Sequence, residues 1–234
     1  MINKIRLQPL ISLRNDAIFG YEALYRKGKA AGYPSASDIL ANIVSSYTHR
    51  DDFRLFINMT EKDIVDPNFC KCFCNILEER QIDGSNIILE VSENTPPECL
   101  SEAKKTLSLL RRYNIRVALD DFGTEYSSLS FLNELPIDVV KIDKKFTQEA
   151  PTNRKSRMLL KFCIDVSHDF GCEVVAEGIE TTDQLNCVKD MDVDIGQGFL
   201  FTAPFCFKKK TAPFIELWEY AAFAMGSAQK TECF

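Results

Sequence analysis

The sequence is poor in histidine, because only His49 and His168 among its 234 residues could supply an imidazole ligand. It has nine cysteines, but an odd number cannot all pair within one chain, and their spacing follows no disulfide framework. Cys70, Cys72 and Cys74 alternate through a predicted helix, so their side chains point away from a common centre. We therefore interpret the cysteines as reduced, mostly buried thiols rather than as disulfides or zinc ligands.

The sequence also lacks a long apolar run and an excess of positive charge. No stretch approaches the roughly 20 apolar residues of a membrane span, and residues 1–13 lack the apolar middle of a signal peptide. Acidic residues number 34 against 28 Lys and Arg, which gives a formal net charge of −6. Such a surface repels a nucleic-acid polymer, whereas a small phosphate ligand is acceptable if metal ions neutralise it locally. We expect a cytoplasmic protein with no membrane contact.

No low-complexity linker or internal repeat divides the chain, and its length suits one α/β domain over residues 1–234. Short β-branched runs alternate with amphipathic segments, a pattern that predicts a mostly parallel sheet covered by helices. Only residues 14–17 separate the first two runs, which is hairpin spacing and predicts an antiparallel pair. The predicted fold class is α/β, a modified TIM-type (β/α)8 barrel with one antiparallel strand near the start. The predicted strands are 5–13, 18–26, 54–59, 86–91, 115–120, 138–142, 173–176 and 196–201, and the predicted helices are 37–47, 68–80, 98–113, 155–170, 182–189 and 213–225.

Charged and amide side chains fall within or directly after the predicted strands. The carboxyl ends of parallel strands open onto one face of a barrel, where active sites are built. Carboxylates that converge there repel one another unless cations are bound, and an oxygen-rich ligand set with one amide favours magnesium or manganese over zinc. The residues in these positions are Glu22, Asn58, Glu90, Asp120, Asp121, Lys141 and Glu177.

Each of these residues also has a purely structural interpretation. An acid that ends a strand often caps the next helix, and Asp120 and Asp121 ahead of Gly123 are compatible with a simple turn. Lys141 could extend along apolar neighbours to reach solvent. The same placement at five strand ends nevertheless favours one common site over five coincidences.

These residues belong to longer motifs that resemble a known family. The segment Glu22-Ala23-Leu24-Tyr25-Arg26 is similar to the signature that names the EAL-domain family of cyclic-di-GMP phosphodiesterases. Five further segments resemble the remaining motifs of the family, in the family's order, and the match runs from about residue 8 to residue 204. These segments read EVSE at 90–93, DDFGT at 120–124, KID at 141–143, EGIET at 177–181 and QGFLF at 197–201.

The resemblance implies a modified barrel that hydrolyses cyclic di-GMP to linear pGpG with two divalent cations, Mg²⁺ or Mn²⁺, and that forms a homodimer. It implies that Asp120 bridges the two cations, that Lys141 holds or activates the attacking water, and that Glu93 anchors the loop 122–129. The implied metal ligands are Glu22, Asn58, Glu90, Asp120, Asp121 and Glu177; the implied catalytic residues are Glu22, Asp120, Lys141 and Glu177; the implied substrate contacts are Gln8, Leu24, Arg26 and Gln197, with Glu180 in a supporting position.

The sequence departs from the family pattern in the rim of the site. Glu22 and Asn58 are closer together than is usual in the family, which implies a shortened rim around residues 28–51. Glu125 stands where the family usually has glycine, and Thr60 stands where it favours serine. These departures leave an alternative open: a catalytically silent EAL-like module that binds cyclic di-GMP or a protein partner. A hydrolase of another phosphoester is a third hypothesis, disfavoured by Arg26 and Gln197.

Overall fold

A computed structural model of the chain has a strand at each of the eight predicted positions, the last one much shorter than predicted, and a further short strand near residue 205. It describes residues 5–25, 34–44, 54–93, 95–96, 99–124 and 128–206, so the predicted helix 213–225 lies outside the described residues. The strands that form the sheet are β1 (Ile5–Ser12), β2 (Ile18–Tyr25), β3 (Leu55–Asn58), β4 (Ile87–Ser92), β5 (Arg116–Phe122), β6 (Val139–Ile142), β7 (Glu173–Ala176), β8 (Ile195–Gly196) and β9 (Phe205–Cys206).

Helices follow most of the strands. The longer ones match the predicted amphipathic segments, whereas three helices of five to seven residues were not predicted because they are too short to show a helical period. Complete capping boxes lie at Thr60 and at Thr181, each at the start of a helix. The helices are α1 (Ala36–Val44), α2 (Glu61–Val65), α3 (Phe69–Arg80), α4 (Leu100–Leu110), α5 (Ser128–Glu134), α6 (Lys144–Glu149), α7 (Arg154–Asp169) and α8 (Thr182–Lys189).

The strands close into an eight-stranded barrel whose first strand is reversed. Strands β2 to β8 pair in parallel and in sequence order. Strand β1 pairs antiparallel with both β2 and β8 and thereby closes the ring. The predicted α/β barrel with one antiparallel strand near its start is therefore confirmed.

The last predicted strand, 196–201, is wrong in extent. Strand β8 ends at Gly196, residues 198–201 form a turn, and the chain returns to the edge of β1 as β9. Eight residues separate Gly196 from Phe205, whereas only three separate their β1 partners Ile11 and Leu7, so the excess must loop out. The loop is fixed by a close approach at Gly198, where a Cβ would lie 2.0 Å from the carbonyl oxygen of Ile179.

The barrel has two separate apolar regions. The larger lies between the strands and the surrounding helices. The smaller fills the barrel interior and takes one residue from each of seven strands, which gives a packed layer rather than a pore. Its members are Leu10, Phe56, Ile88, Ala118, Val139, Val175 and Ile195.

The structure has free thiols at Cys70, Cys72, Cys74, Cys163, Cys172 and Cys187. Cys74, Cys99, Cys163, Cys172 and Cys187 are buried, and the thiols of the α3 cysteines differ in environment as the helical spacing predicts. Burial raises the pKa of the buried Cys163 thiol to about 11, so it is a poor nucleophile at neutral pH. Among the described residues, none of the helices combines the length and the apolar character that a membrane span requires.

At the amino-terminal end of the parallel strands, Asp194 joins three segments of the chain. Its side chain is almost fully buried and accepts hydrogen bonds from the guanidinium of Arg14 at 2.5 Å and from the backbone N–H of Val174 at 2.9 Å. The imidazole Nε2 of His168 lies 2.8 Å from the same carboxylate. One buried acid therefore ties the β1–β2 turn, helix α7 and strand β7 together.

We expect the substitution Asp194→Ala to lower the free energy of unfolding by about 2–3 kcal/mol, mainly because the buried Val174 N–H would lose its acceptor. Urea denaturation measures the change. Asp169→Ala, at an exposed position at the end of α7, is the control and should change the free energy by less than about 0.5 kcal/mol. Equal stabilities of the two variants would contradict the prediction.

Candidate active site

The polar residues of the site form a ring directly above the apolar layer of the barrel interior. In each strand from β3 to β8, the candidate residue lies two positions beyond the interior apolar residue, so it belongs to the same face. In the reversed strand β1 the order is inverted, since Gln8 precedes Leu10 and pairs with Glu22 of β2. The residues that β3 to β8 contribute in this way are Asn58, Glu90, Asp120, Lys141, Glu177 and Gln197.

Lys141 occupies the centre of this ring. Its Nζ lies 2.7 Å from Glu90 Oε1, 2.9 Å from Glu177 Oε1 and 3.0 Å from Asp120 Oδ1. Glu22 Oε2 is slightly farther away, at 3.5 Å. The lysine side chain is 1% exposed, and a buried ammonium is costly unless it is paired, so these carboxylates provide the compensation. The structure thus brings together five residues that the sequence separates by up to 155 positions.

Glu22 is held by two amide side chains. Gln197 Nε2 donates to Glu22 Oε2 at 2.7 Å, and Asn58 Nδ2 donates to Glu22 Oε1 at 3.4 Å. Glu22 is 6% exposed, so these bonds fix its carboxylate in a nearly closed environment. Because both amides donate through their nitrogen atoms, the side-chain oxygens of Gln197 and Asn58 take no part in these bonds.

A β-bulge allows two successive aspartates to reach the site. The β5–β6 register advances three residues on β5, from Leu119 to Phe122, but only two on β6, and Asp121 has a φ of +60°. In a regular strand, neighbouring side chains would point to opposite faces. Because of the bulge, carboxylate oxygens of Asp120, Asp121 and Glu177 lie within 4.8 Å of one another.

Glu93 fastens the segment that follows these aspartates. Its carboxylate accepts hydrogen bonds from the backbone N–H groups of Gly123, at 3.2 Å, and Thr124, at 2.7 Å, and also from the Thr124 hydroxyl. Gly123 has a φ of +93°, a conformation in which glycine is favoured. Glu93 is thus the structural link between the end of β4 and the start of the loop after β5.

Burial and mutual repulsion change the acidity of the ring. Burial, followed by the charge of Glu22, raises the pKa of Glu90 well above its ordinary value, although Lys141 opposes the shift. Burial also raises the pKa of Glu177 to about 7, with the charge of Asp120 adding to the effect. For Lys141, burial acts to lower the pKa, but the carboxylates around it prevail and raise the pKa well above its ordinary value.

The ring has the properties of a divalent-cation site. Glu90 Oε2 and Gln197 Oε1 are buried oxygens without a hydrogen-bond partner in the described part of the chain. The oxygens of Asp120, Asp121 and Glu177 are close enough to share one ion. Carboxylate and amide oxygens without thiol or imidazole are the ligands that magnesium and manganese prefer.

The remaining candidate residues lie at the rim or outside the described residues. Gln8 and Leu24 line the β1–β2 side of the mouth, and Glu180 is exposed where its carboxylate accepts a hydrogen bond from Gln148 at 3.3 Å. Arg26 and Glu125 lie outside the described residues.

Sequence reasoning gave no role to two charged residues near the site. Asp143 caps helix α6 through the Lys145 N–H, and its charge contributes to the raised pKa of Asp121 after burial and Asp120. Arg6 lies on β1 two positions before Gln8. Its position on the interior face could have been inferred from the period-two alternation of β1 alone.

Comparison of the sequence with models of protein families gives a result that agrees with the geometry of the site. The model of the EAL domain matches residues 3–204, which is most of the chain. The chain belongs to the EAL domain family. EAL domains are metal-dependent, which fits the acidic cluster at the mouth of the barrel.

Individual relatives support the same assignment. The cyclic di-GMP phosphodiesterase PdeL of Escherichia coli K12 is 32% identical over 154 residues, which are 66% of this chain and 42% of PdeL. The EAL domain of Mycobacterium smegmatis DcpA superposes with a TM-score of 0.80 at 25% identity and covers 94% of this chain and 96% of that domain. The EAL enzyme Bd1971, bound to cAMP and cyclic di-GMP, gives a TM-score of 0.77 at 25% identity over 86% of this chain and 61% of its own. The chain spans 25% to 35% of the length of the first five curated relatives that it matches.

We expect the metal-free protein to lose part of its stability as the pH rises through neutrality. The pKa of Glu177 is about 7 in the folded state against an ordinary value of 4.5, so the folded chain keeps a proton that the unfolded chain has released. The stability that this proton provides is complete below the lower value and is lost as the pH passes the higher one. Urea denaturation in a chelator at several pH values measures the slope.

The variant Glu177→Gln isolates this contribution, because a neutral amide cannot titrate. Its stability should fall less steeply between about pH 5 and pH 8 than that of the unmodified protein. Glu79→Gln, at an exposed position on α3, should keep the original slope. A Glu177→Gln variant with an unchanged slope would show that Glu177 is ionised throughout this range.

Proposed function

We propose that this chain is a metal-dependent phosphodiesterase that hydrolyses cyclic di-GMP to linear pGpG. The observation that carries the proposal is the complete set of carboxylates gathered around Lys141 at the carboxyl ends of the strands. Membership of the EAL domain family and the similarity to PdeL support the substrate. The same set would be unnecessary in a barrel that only supports a binding surface.

Charge balance supports two divalent cations at the site. When ionised, five carboxylates carry five negative charges, and Lys141 compensates one of them. Two divalent cations, Mg²⁺ or Mn²⁺, would neutralise the remaining four. Bound there, such ions lower the pKa of a water molecule and neutralise phosphate charge. The residues that would hold them are Glu22, Asn58, Glu90, Asp120, Asp121 and Glu177.

The remaining residues would position the water and the substrate. Lys141, whose Nζ lies within 3.0 Å of three carboxylates, would hold or help activate the attacking water. Attack of the water oxygen at phosphorus would break one P–O3′ ester bond of the ring, and the proton that the water releases would end on the leaving 3′ oxygen. Gln197 would orient Glu22, and Glu93 would hold the loop beside Asp121. The proposed substrate contacts are Gln8, Leu24, Arg26 and Gln197, with Glu180 supporting the rim.

The alternative function is a catalytically silent module that binds cyclic di-GMP or a protein partner. It is favoured by the short separation of Glu22 and Asn58 and by Glu125 in place of glycine. Loss of a metal-ligating side chain would be its expected mark, and each of the six proposed ligands is present in the sequence. The complete ligand set therefore favours the enzyme.

Incubation of the purified protein with cyclic di-GMP and Mn²⁺, followed by chromatography, tests the proposal. We expect pGpG from the unmodified protein and from Glu79→Gln, whereas Glu22→Gln should reduce the rate at least about 100-fold because it removes one anionic ligand. Binding of cyclic di-GMP without pGpG formation would support the silent module. Cleavage that persists in Glu22→Gln would exclude the proposed ligand set.

We also propose that the protein forms a homodimer. The proposal follows from its membership of the EAL domain family. Light scattering at several concentrations should give twice the mass of the 26.6 kDa chain. A monomer mass at the concentration used for the activity assay would disprove the dimer.

A further inference from the structure

Arg6 presents its side chain toward the mouth of the barrel, above the apolar layer. Side chains of β1 alternate, and Leu10 belongs to the interior layer whereas Ile5, Leu7 and Ile11 pack in the outer core. Arg6 therefore shares the interior face with Leu10, on the mouth side of it. Along the interior faces of the described strands, Arg6 and Lys141 are the cations above this layer.

The neighbours of Arg6 leave its guanidinium largely available. It pairs with Leu24 of β2 on one side and with Cys206 of β9 on the other. Its Nη1 donates to the carbonyl oxygen of Pro204 at 3.4 Å, which is a long hydrogen bond, and the residue is half-buried. No carboxylate among the described residues forms an ion pair with it.

This arrangement differs from that of Lys141, whose ammonium is paired with carboxylates. An arginine without an acidic partner, close to a ring of five acids, lowers the repulsion that an anionic ligand would meet on entering the mouth. Its planar fork of N–H donors matches two oxygens of a phosphate. The site therefore has a second place, outside the ring of carboxylates, at which a phosphate would be stabilised.

We propose that Arg6 binds the phosphodiester of the cyclic dinucleotide that is not cleaved. The inference rests on the proposed function and extends it. A cyclic dinucleotide carries two phosphodiesters on one ring, and only one can lie at the carboxylate ring while it is hydrolysed. The other keeps its negative charge and would be stabilised by a cation at the rim. Arg6 would thus favour substrates with two phosphates over simple diesters with one.

Kinetics with two substrates test this role. In Arg6→Ala, we expect the KM for cyclic di-GMP to rise about 10-fold with little change in kcat, because a charge-assisted bond to the bound substrate is lost. The rate on bis(p-nitrophenyl) phosphate, which has a single phosphate, should stay within about two-fold. Arg6→Lys should recover part of the KM, since it keeps the charge but not the fork. Arg112→Ala, exposed in the connection that leads into β5, is the control and should leave both substrates unaffected.

Calorimetric binding of cyclic di-GMP separates failure of this inference from failure of the proposed function. If the unmodified protein neither cleaves nor binds the nucleotide, both are wrong. If it binds without cleavage, weaker binding by Arg6→Ala still supports the role of Arg6. Equal affinity and KM in Arg6→Ala and the unmodified protein overturn the inference alone. Equal losses on both substrates also overturn it, because they indicate an effect on the site as a whole, and a melting temperature checks that the variant is folded.

Discussion

The packing of Lys141 against buried carboxylates is the interaction on which the upper half of the barrel depends. Glu90 is fully buried and Glu22 nearly so, and burial of a carboxylate is costly unless a cation pairs with it. Lys141 contacts both, together with Asp120 and Glu177, so one side chain links strands β2, β4, β5 and β7 through its own strand β6. The strands of a barrel can carry acids on their inner face only where such compensation exists.

Backbone irregularities give this ring its final geometry. A regular strand could direct only one of Asp120 and Asp121 into the mouth, and the bulge with its left-handed residue removes that limit. The loop between β8 and β9 brings Gln197 across β1 to Glu22. Both features lie at the carboxyl ends of strands, where departure from regular pairing does not disturb the apolar layer beneath.

Much of this arrangement could be predicted from the sequence, because each polar residue of the site follows a short apolar run at the end of a strand. The hairpin of β1 and β2 and the polar residues after β3 to β7 follow from short apolar runs and their spacing. The extent of β8 could not be predicted, because Gly198 is held by contact with Ile179, which is distant in sequence. The short helices α2 and α6 begin at capping residues, Thr60 and Asp143, rather than showing a repeating apolar pattern.

The electrostatics of the mouth could be predicted only in part. The strand ends predict that acids converge, but only the folded chain shows how deeply each acid is buried. Glu90 lies deeper than Glu177, since its side chain is fully buried while that of Glu177 is 20% exposed. Arg6 follows the alternation of β1 and so was accessible to sequence reasoning, but its lack of an acidic partner emerges only from the packed barrel. An entering anion would therefore be attracted mainly by Arg6, whose charge has no acidic partner among the described residues. The charge of Lys141 is already balanced by the carboxylates around it.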